Sequence, residues 1–122
     1  MIKDKITQFV LKLIKLTKNN EITWRNFIPS ETELPNEEVI LDKVYESTIN
    51  ESRIQLYRYK AKYFIDEYEY QWVQRIRLEL IDNKGETDYV FKFENSMNDL
   101  YDIVREQSSN VNQLIDDILK LD

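Results

Sequence analysis

The chain has 122 residues, a net charge of −6, and neither cysteine nor histidine. The length fits one folded domain, and we take residues 1–122 as a single unit. Without cysteine or histidine there is no disulfide, no thiolate or imidazole metal site, and no nucleophile–histidine pair. We therefore expect a protein that is not an enzyme, holds no cofactor and binds no metal tightly. The acidic balance argues against general nucleic-acid binding.

Residues 2–18 have the spacing of an amphipathic helix. The apolar side chains that fall on one arc of this helix are Ile2, Ile6, Phe9, Val10, Leu13, Ile14 and Leu16. A lysine-rich helix can lie on a membrane, but we favour a helix that covers a sheet, because the strands that follow need a cover. The longest uncharged run of this N-terminal segment, residues 6–11, is too short for a signal peptide. We expect a cytoplasmic protein that does not bind membranes.

Residues 28–42 have the composition of an irregular connection, and they follow a short strand near Trp24. The segment contains both prolines of the chain and five acidic residues, Glu31, Glu33, Glu37, Glu38 and Asp42. Loops often carry binding residues, so this acidic loop is a candidate contact surface for a basic partner.

From residue 43 onward the apolar period changes to two. This period predicts strands at 43–50, 53–65, 70–81 and 87–93. The segment DNKGE at 82–86 predicts a turn in which Gly85 supplies a positive φ. The third and fourth of these strands have one apolar and one polar side, as in an antiparallel sheet that is covered on one side.

The strands at 53–65 and 70–81 form a predicted hairpin that is rich in aromatic residues. If the chain turns within DEYE at 66–69, odd positions of the first strand pair with even positions of the second. Four residues of the first strand then share a side with Trp72, Ile76 and Leu78, and we expect that side to lie under the helices. These four residues are Tyr57, Tyr59, Ala61 and Tyr63.

The opposite side of this hairpin is predicted to carry a cationic set. Its members are Arg58, Lys60, Lys62, Arg75 and Arg77. One interpretation is a docking face for an anion, such as a nucleotide, an acidic protein or RNA. The alternative is a solvated strand face whose cations form weak pairs with neighbouring acids such as Glu46, Glu79 and Asp88.

Residues 96–121 keep apolar spacings of three and four across the polar segment EQSSN. The pattern predicts either one long helix or two helices broken near Ser109. The predicted fold is a two-layer α+β domain. It has an N-terminal helix, an antiparallel sheet of four to five strands, and a C-terminal helix or helix pair packed on one sheet face.

The segments LIKLTKNNEITW, LELIDNKGETDYVFKF and DLYDIVREQSSNVNQLIDDIL occur in this order around tyrosine-rich strands. In this order they resemble small uncharacterised single-domain proteins of low-GC bacteria and their prophages. The resemblance covers most of the chain and implies a bacterial or prophage origin. It implies no activity, and it carries over no functional residue.

The sequence supports three hypotheses of function. The leading one is a non-catalytic interaction module whose partner is another protein. The second is an acidic inhibitor or immunity protein that blocks a basic toxin or nuclease through the acidic loop. The third is a small-ligand-binding domain that uses the tyrosine side of the hairpin. A pocket beside Tyr57, Tyr59 and Trp72 would favour this third hypothesis.

Overall fold

The computed structural model has a single antiparallel sheet of five strands, in which the strands lie side by side in chain order. The structure describes residues 2–121, with side chains from residue 5 onward, so Ile2 of the predicted apolar arc lies outside the described side chains. The elements are α1 (Ile2–Lys18), β1 (Arg25–Phe27), β2 (Val39–Ile49), β3 (Ser52–Phe64), β4 (Tyr70–Ile81), β5 (Thr87–Val90), α2 (Ser96–Ser108) and α3 (Val111–Leu119). The predicted α+β class is confirmed, with five strands and two C-terminal helices.

Helix α1 buries the arc that its sequence predicts. Val10 and Leu13 are fully enclosed, whereas Leu11, which is off the arc, is exposed. The helix ends where Asn20 adopts a left-handed conformation with φ 58°. Its last turn also buries Thr17, whose hydroxyl donates to the Leu13 carbonyl and accepts a hydrogen bond of 3.0 Å from the Trp24 indole.

One side of the sheet, here called the helix face, packs against α1 and α2. Ile54, Leu56 and Leu78 form its centre and share a buried core with residues of both helices. Because side chains alternate along a strand, this core uses the even positions of β3 and β4. The helices therefore cover the end of the hairpin near the β2–β3 turn.

The other side of the sheet, here called the loop face, is covered by the connection between β1 and β2. Val44, Tyr57, Tyr59 and Ala61 are buried there against Leu34 of that connection and its neighbours. The predicted burial is confirmed for Tyr57 and Tyr59, but their cover is the loop and not the helices. For Tyr63 the prediction is wrong, because this residue lies near the hairpin loop and is 56% exposed.

The hairpin register differs from the predicted one by one residue. Phe64 pairs with Tyr70, so five residues form the loop and odd positions pair with odd positions, as in Tyr57 with Arg77. The loop is closed by the Asp66 carboxylate, which accepts hydrogen bonds from the backbone of Tyr68 and Glu69. Trp72, Ile76 and Leu78 consequently lie on the helix face, opposite the tyrosines with which they were expected to share a side.

The acidic loop is shorter than the sequence predicts. Strand β2 begins at Val39, and Asp42 lies inside it at an irregularity between Leu41 and Val44, with φ 62°. A short 3₁₀ turn at Pro35–Glu37 precedes the strand. The loop is thus tied to the sheet at its C-terminal end, which fixes the position of its last two glutamates.

The C-terminal segment is divided into two helices at Ser109, whose backbone is extended. Helix α2 packs on α1 and β4 and buries Met97, Leu100, Tyr101 and Val104. All residues of α3, in contrast, are exposed. Within residues 2–121, no helix is both long enough and apolar enough to cross a membrane.

Candidate functional site

The cationic set is divided between the two sides of the sheet. Arg58, Lys60 and Lys62 lie at even positions of β3 on the helix face, with Arg58 beside Tyr101 of α2 and the two lysines further along the strand. Arg75 and Arg77 lie at odd positions of β4 on the loop face. The expectation that all five cations project from one side is therefore wrong, and its cause is the one-residue difference in the hairpin loop.

The three cations of the helix face lie over aromatic rings. The Lys60 ammonium is 4.6 Å from the Trp72 ring centroid, and the Lys62 ammonium is 4.5 Å from that of Tyr70. Arg58 lies at 5.9 Å from the Tyr101 ring. These cations are partly enclosed by the protein's own side chains, so less of their surface is exposed to an anionic partner.

The two cations of the loop face have different environments. Arg75 is exposed, whereas Arg77 is stacked on Tyr59 at 4.1 Å and paired with Glu38 at 3.1 Å. The pKa of Arg77 lies above its ordinary value. Burial alone would lower this pKa, but the hydrogen bonds to Tyr57 and Glu38 raise it. Arg77 is thus a permanently charged part of the core of the loop face.

The acidic loop supplies partners for the cationic set. Glu37 accepts a hydrogen bond of 2.7 Å from Lys62, and Glu38 pairs with Arg77. Neither glutamate is among the three acidic neighbours that the sequence suggested. The other three members of the acidic loop set, Glu31, Glu33 and Asp42, are exposed. The two surfaces proposed from sequence as separate docking sites therefore partly neutralise each other.

A cleft of about 330 Å³ opens on the loop face between the acidic loop and the β4–β5 turn. Its walls include Phe27, Leu34, Ile40 and Val44, and its polar lining includes Gln55, Tyr57, Glu79, Thr87, Ser30 and Glu31. Tyr57 is shared with the pocket that the sequence suggested, but Trp72 lies on the other side of the sheet. The cleft is one candidate functional site.

Glu79 is the buried carboxylate of this cleft, with 7% of its surface exposed. The Tyr57 hydroxyl donates to Glu79 Oε1 at 2.8 Å, and the Thr87 hydroxyl donates to Oε2 at 3.2 Å. Burial raises the pKa of Tyr57. The hydrogen bond from Arg77 opposes this rise, and the neighbouring Glu79 carboxylate adds to it. The Tyr57 hydroxyl therefore stays protonated and donates to Glu79.

A second buried glutamate on the same face has a different set of partners. Glu46 lies two strands away from Glu79 in the same cross-strand row, with Gln55 between them. Glu46 forms ion pairs with Arg25 and Arg53. In the part of the chain that the structure describes, no lysine or arginine forms an ion pair with Glu79.

Another candidate site is an exposed apolar surface, here called the C-terminal apolar stripe. It consists of one arc of α3 together with the end of the chain segment that follows the helix. Its members are Val111, Leu114, Ile115, Ile118, Leu119 and Leu121, and all are between 39% and 77% exposed. The opposite side of α3 carries polar residues such as Asp116 and Asp117. The sequence pattern predicts the arc, but it does not reveal that the rest of the chain leaves this arc uncovered.

Among the described residues, no three acidic side chains are grouped to hold a metal ion. The chain matches no protein-family model, no curated protein and no solved structure.

Proposed function

We propose that the protein is a non-catalytic interaction module that binds another protein through the C-terminal apolar stripe. The supporting observation is that the apolar arc of α3 faces solvent. Leu114 and Ile118 near its centre are 58% and 56% exposed. Contiguous exposed apolar surface of this kind is typical of protein-binding sites. An amphipathic helix commonly binds by placing its apolar face in a groove of the partner.

The chemistry around the stripe favours a partner with an apolar groove and a basic rim. Residues 96–121 contain five acidic and two basic side chains, in a chain of net charge −6. Asp116 and Asp117 flank the stripe on the polar side of α3. Complementary charge at the edge of an apolar contact speeds association and disfavours acidic competitors.

The same composition argues against a membrane as the occupant. Helices that lie on membranes carry lysine and arginine on their polar side, because lipid surfaces are anionic. The polar side of α3 has Asp116 and Asp117 and no cation, and Lys120 follows the helix as its C-cap. The resemblance to proteins of low-GC bacteria and their prophages supports a bacterial or mobile-element setting for the protein partner.

The test of this proposal combines affinity capture with reconstitution. A protein captured by the wild-type chain is identified, purified and titrated against the wild type and a Leu114→Ser/Ile118→Ser variant. We expect the variant to bind at least about tenfold more weakly, because buried apolar side chains contribute about 1.5–3 kcal/mol each.

Leu11→Ser is the matched control, since Leu11 is a helical leucine with a similar exposure of 53% but lies on α1. This control should bind the partner as the wild type does. Equal affinity of the stripe variant and the wild type would contradict the proposal. Sedimentation of the wild type as a dimer, and of the stripe variant as a monomer, would instead assign the stripe to self-association.

A further inference from the structure

We propose that the loop-face cleft is a binding site for a small organic cation, an alkylammonium or alkylguanidinium group, with Glu79 as its counter-ion. This site is separate from the C-terminal apolar stripe and does not depend on the protein-binding proposal. It rests on three features of the cleft: a buried carboxylate that forms no ion pair with the side chains of residues 5–121, apolar walls, and a lining in which none of the described residues is basic.

The two buried glutamates of the loop face provide an internal comparison. Glu46 is 2% exposed and has Arg25 and Arg53 as counter-ions. Glu79 is 7% exposed, and within the described part of the chain its only hydrogen-bond partners are the hydroxyls of Tyr57 and Thr87. Buried carboxylates are rarely left without a cation, since removing a charge from water is costly. Glu46 thus shows how this chain compensates a buried carboxylate. Among the described residues Glu79 has no direct cationic partner, and Arg77 reaches it only through the Tyr57 hydroxyl, which accepts a hydrogen bond of 3.4 Å from Arg77.

The hydrogen bonds of Glu79 leave it able to accept from a ligand. A carboxylate has about four lone-pair sites, and each oxygen of Glu79 accepts one bond from the protein. One site per oxygen therefore remains, which suits the paired donors of a guanidinium or two of the three donors of an ammonium. Among the other lining residues, Gln55 and Ser30 can also accept hydrogen bonds, and Glu31 is a second carboxylate.

The walls of the cleft define the rest of the ligand. Phe27, Leu34, Ile40 and Val44 present apolar surface to the space above Glu79. The volume of about 330 Å³ lies at the lower end of the range for small-molecule sites, about 300–1,000 Å³. A short alkyl chain attached to the cationic group would cover this apolar surface. Metal ions fit less well, because calcium requires about 6–8 oxygen ligands and the lining offers two carboxylates.

The chain contains an internal reporter for this site. Gly85, which lines the cleft, is the only glycine of the sequence. Protein labelled with ¹⁵N-glycine therefore gives a single amide signal in a two-dimensional NMR spectrum. This signal can be followed during titration with butylammonium or butylguanidinium, with butanol and butyrate as neutral and anionic controls of similar size.

We expect both cations to shift the Gly85 signal in a saturable way, and butyrate to leave it unchanged. Glu79→Gln should weaken binding by about ten- to hundredfold, because the ligand's hydrogen bond to a charged carboxylate is replaced by one to a neutral amide. Ser30→Trp, at an exposed lining position, should also weaken binding by filling the cleft without altering Glu79. Glu33→Gln, an exposed carboxylate outside the cleft lining, is the control and should bind as the wild type does.

Two variants are used so that a folding defect in Glu79→Gln does not decide the outcome. Unchanged affinity in a folded Glu79→Gln variant, or in Ser30→Trp, would overturn the proposal. A shift of the Gly85 signal by butyrate or butanol as large as the shift by butylammonium would also overturn the proposal. A saturable shift with calcium alone, and none with the organic cations, would assign the cleft to a metal ion and likewise refute it.

Discussion

Helices α2 and α3 follow each other in the chain and have the same kind of apolar spacing, yet they have opposite surroundings. Four apolar residues of α2 (Met97, Leu100, Tyr101 and Val104) are at most 2% exposed. Those of α3 are all exposed, and Leu119 reaches 77%. The extended backbone of Ser109 separates the two helices. Amphipathic spacing therefore shows that a helix has a face to cover, but it does not show what covers it.

The difference between the two helices has a consequence for their stability. Helix α2 contacts α1 and β4, so its apolar residues are part of the core. Helix α3 has nine residues and no buried side chain. Isolated helices of this length are marginal in water, since most helical stability in proteins comes from packing. A partner that covers the C-terminal apolar stripe would supply α3 with the packing that α2 receives from α1 and β4.

The largest effect is expected from Leu100→Ala in α2. Leu100 is fully buried, so the substitution removes apolar contacts and leaves a cavity. We expect the free energy of unfolding to fall by about 2–5 kcal/mol, as measured by urea denaturation followed by circular dichroism. A loss below about 1 kcal/mol would mean that α2 is not part of the core, and the contrast with α3 would disappear.

The fold could be predicted from sequence because its elements have clear periods. The arc of α1, the alternation of β4 and the turn at Gly85 each point to one local structure, and the α+β class follows from their order. The sequence does not distinguish one C-terminal helix from two, because the polar segment EQSSN is compatible with a continuous exposed helix side.

The candidate sites were harder to predict, because they depend on contacts between distant parts of the chain. One extra residue in the loop after Phe64 moves every side chain of β4 to the other side of the sheet relative to β3. Tyrosines alternate with cations in β3, and Ile76 and Leu78 alternate with Arg75 and Arg77 in β4, so the pattern itself favours the register that the structure does not adopt. The pairing of Glu38 with Arg77 links residues 39 positions apart, and no local spacing indicates it.

A smaller effect, of opposite sign, is expected from Tyr101→Phe in α2. The Tyr101 hydroxyl is buried and has no hydrogen-bond partner among the described residues. Removing an unsatisfied buried polar atom should increase the free energy of unfolding by about 1 kcal/mol. Urea denaturation at neutral pH measures this gain, and a clear loss of stability would show that the hydroxyl has a partner.

The same variant tests the pH dependence of stability. Burial raises the pKa of Tyr101, the charges of Asp42 and Asp102 add to this, and Arg58 and Arg105 oppose it. A raised pKa in the folded state favours the protonated form there. The contribution of neutral Tyr101 to the free energy of unfolding is therefore complete below the pKa of the unfolded state, about 10. It is lost as the pH rises through the pKa of the folded state. The advantage of Tyr101→Phe over the wild type should grow above about pH 10, and an advantage that shrinks there would contradict this assignment.

The smallest effect on stability is expected from Ile118→Ala in α3. Ile118 is 56% exposed, so the substitution removes little buried surface, and alanine is a better helix former than isoleucine. The free energy of unfolding should change by less than about 0.5 kcal/mol. Hydrogen exchange adds an independent measurement, because amides of an unpacked helix open locally and should exchange much faster in α3 than in α2. A loss above about 1.5 kcal/mol for Ile118→Ala, or equal protection of the two helices, would show that α3 packs on the protein's own core. The C-terminal apolar stripe would then be part of the fold and would not be available to a partner.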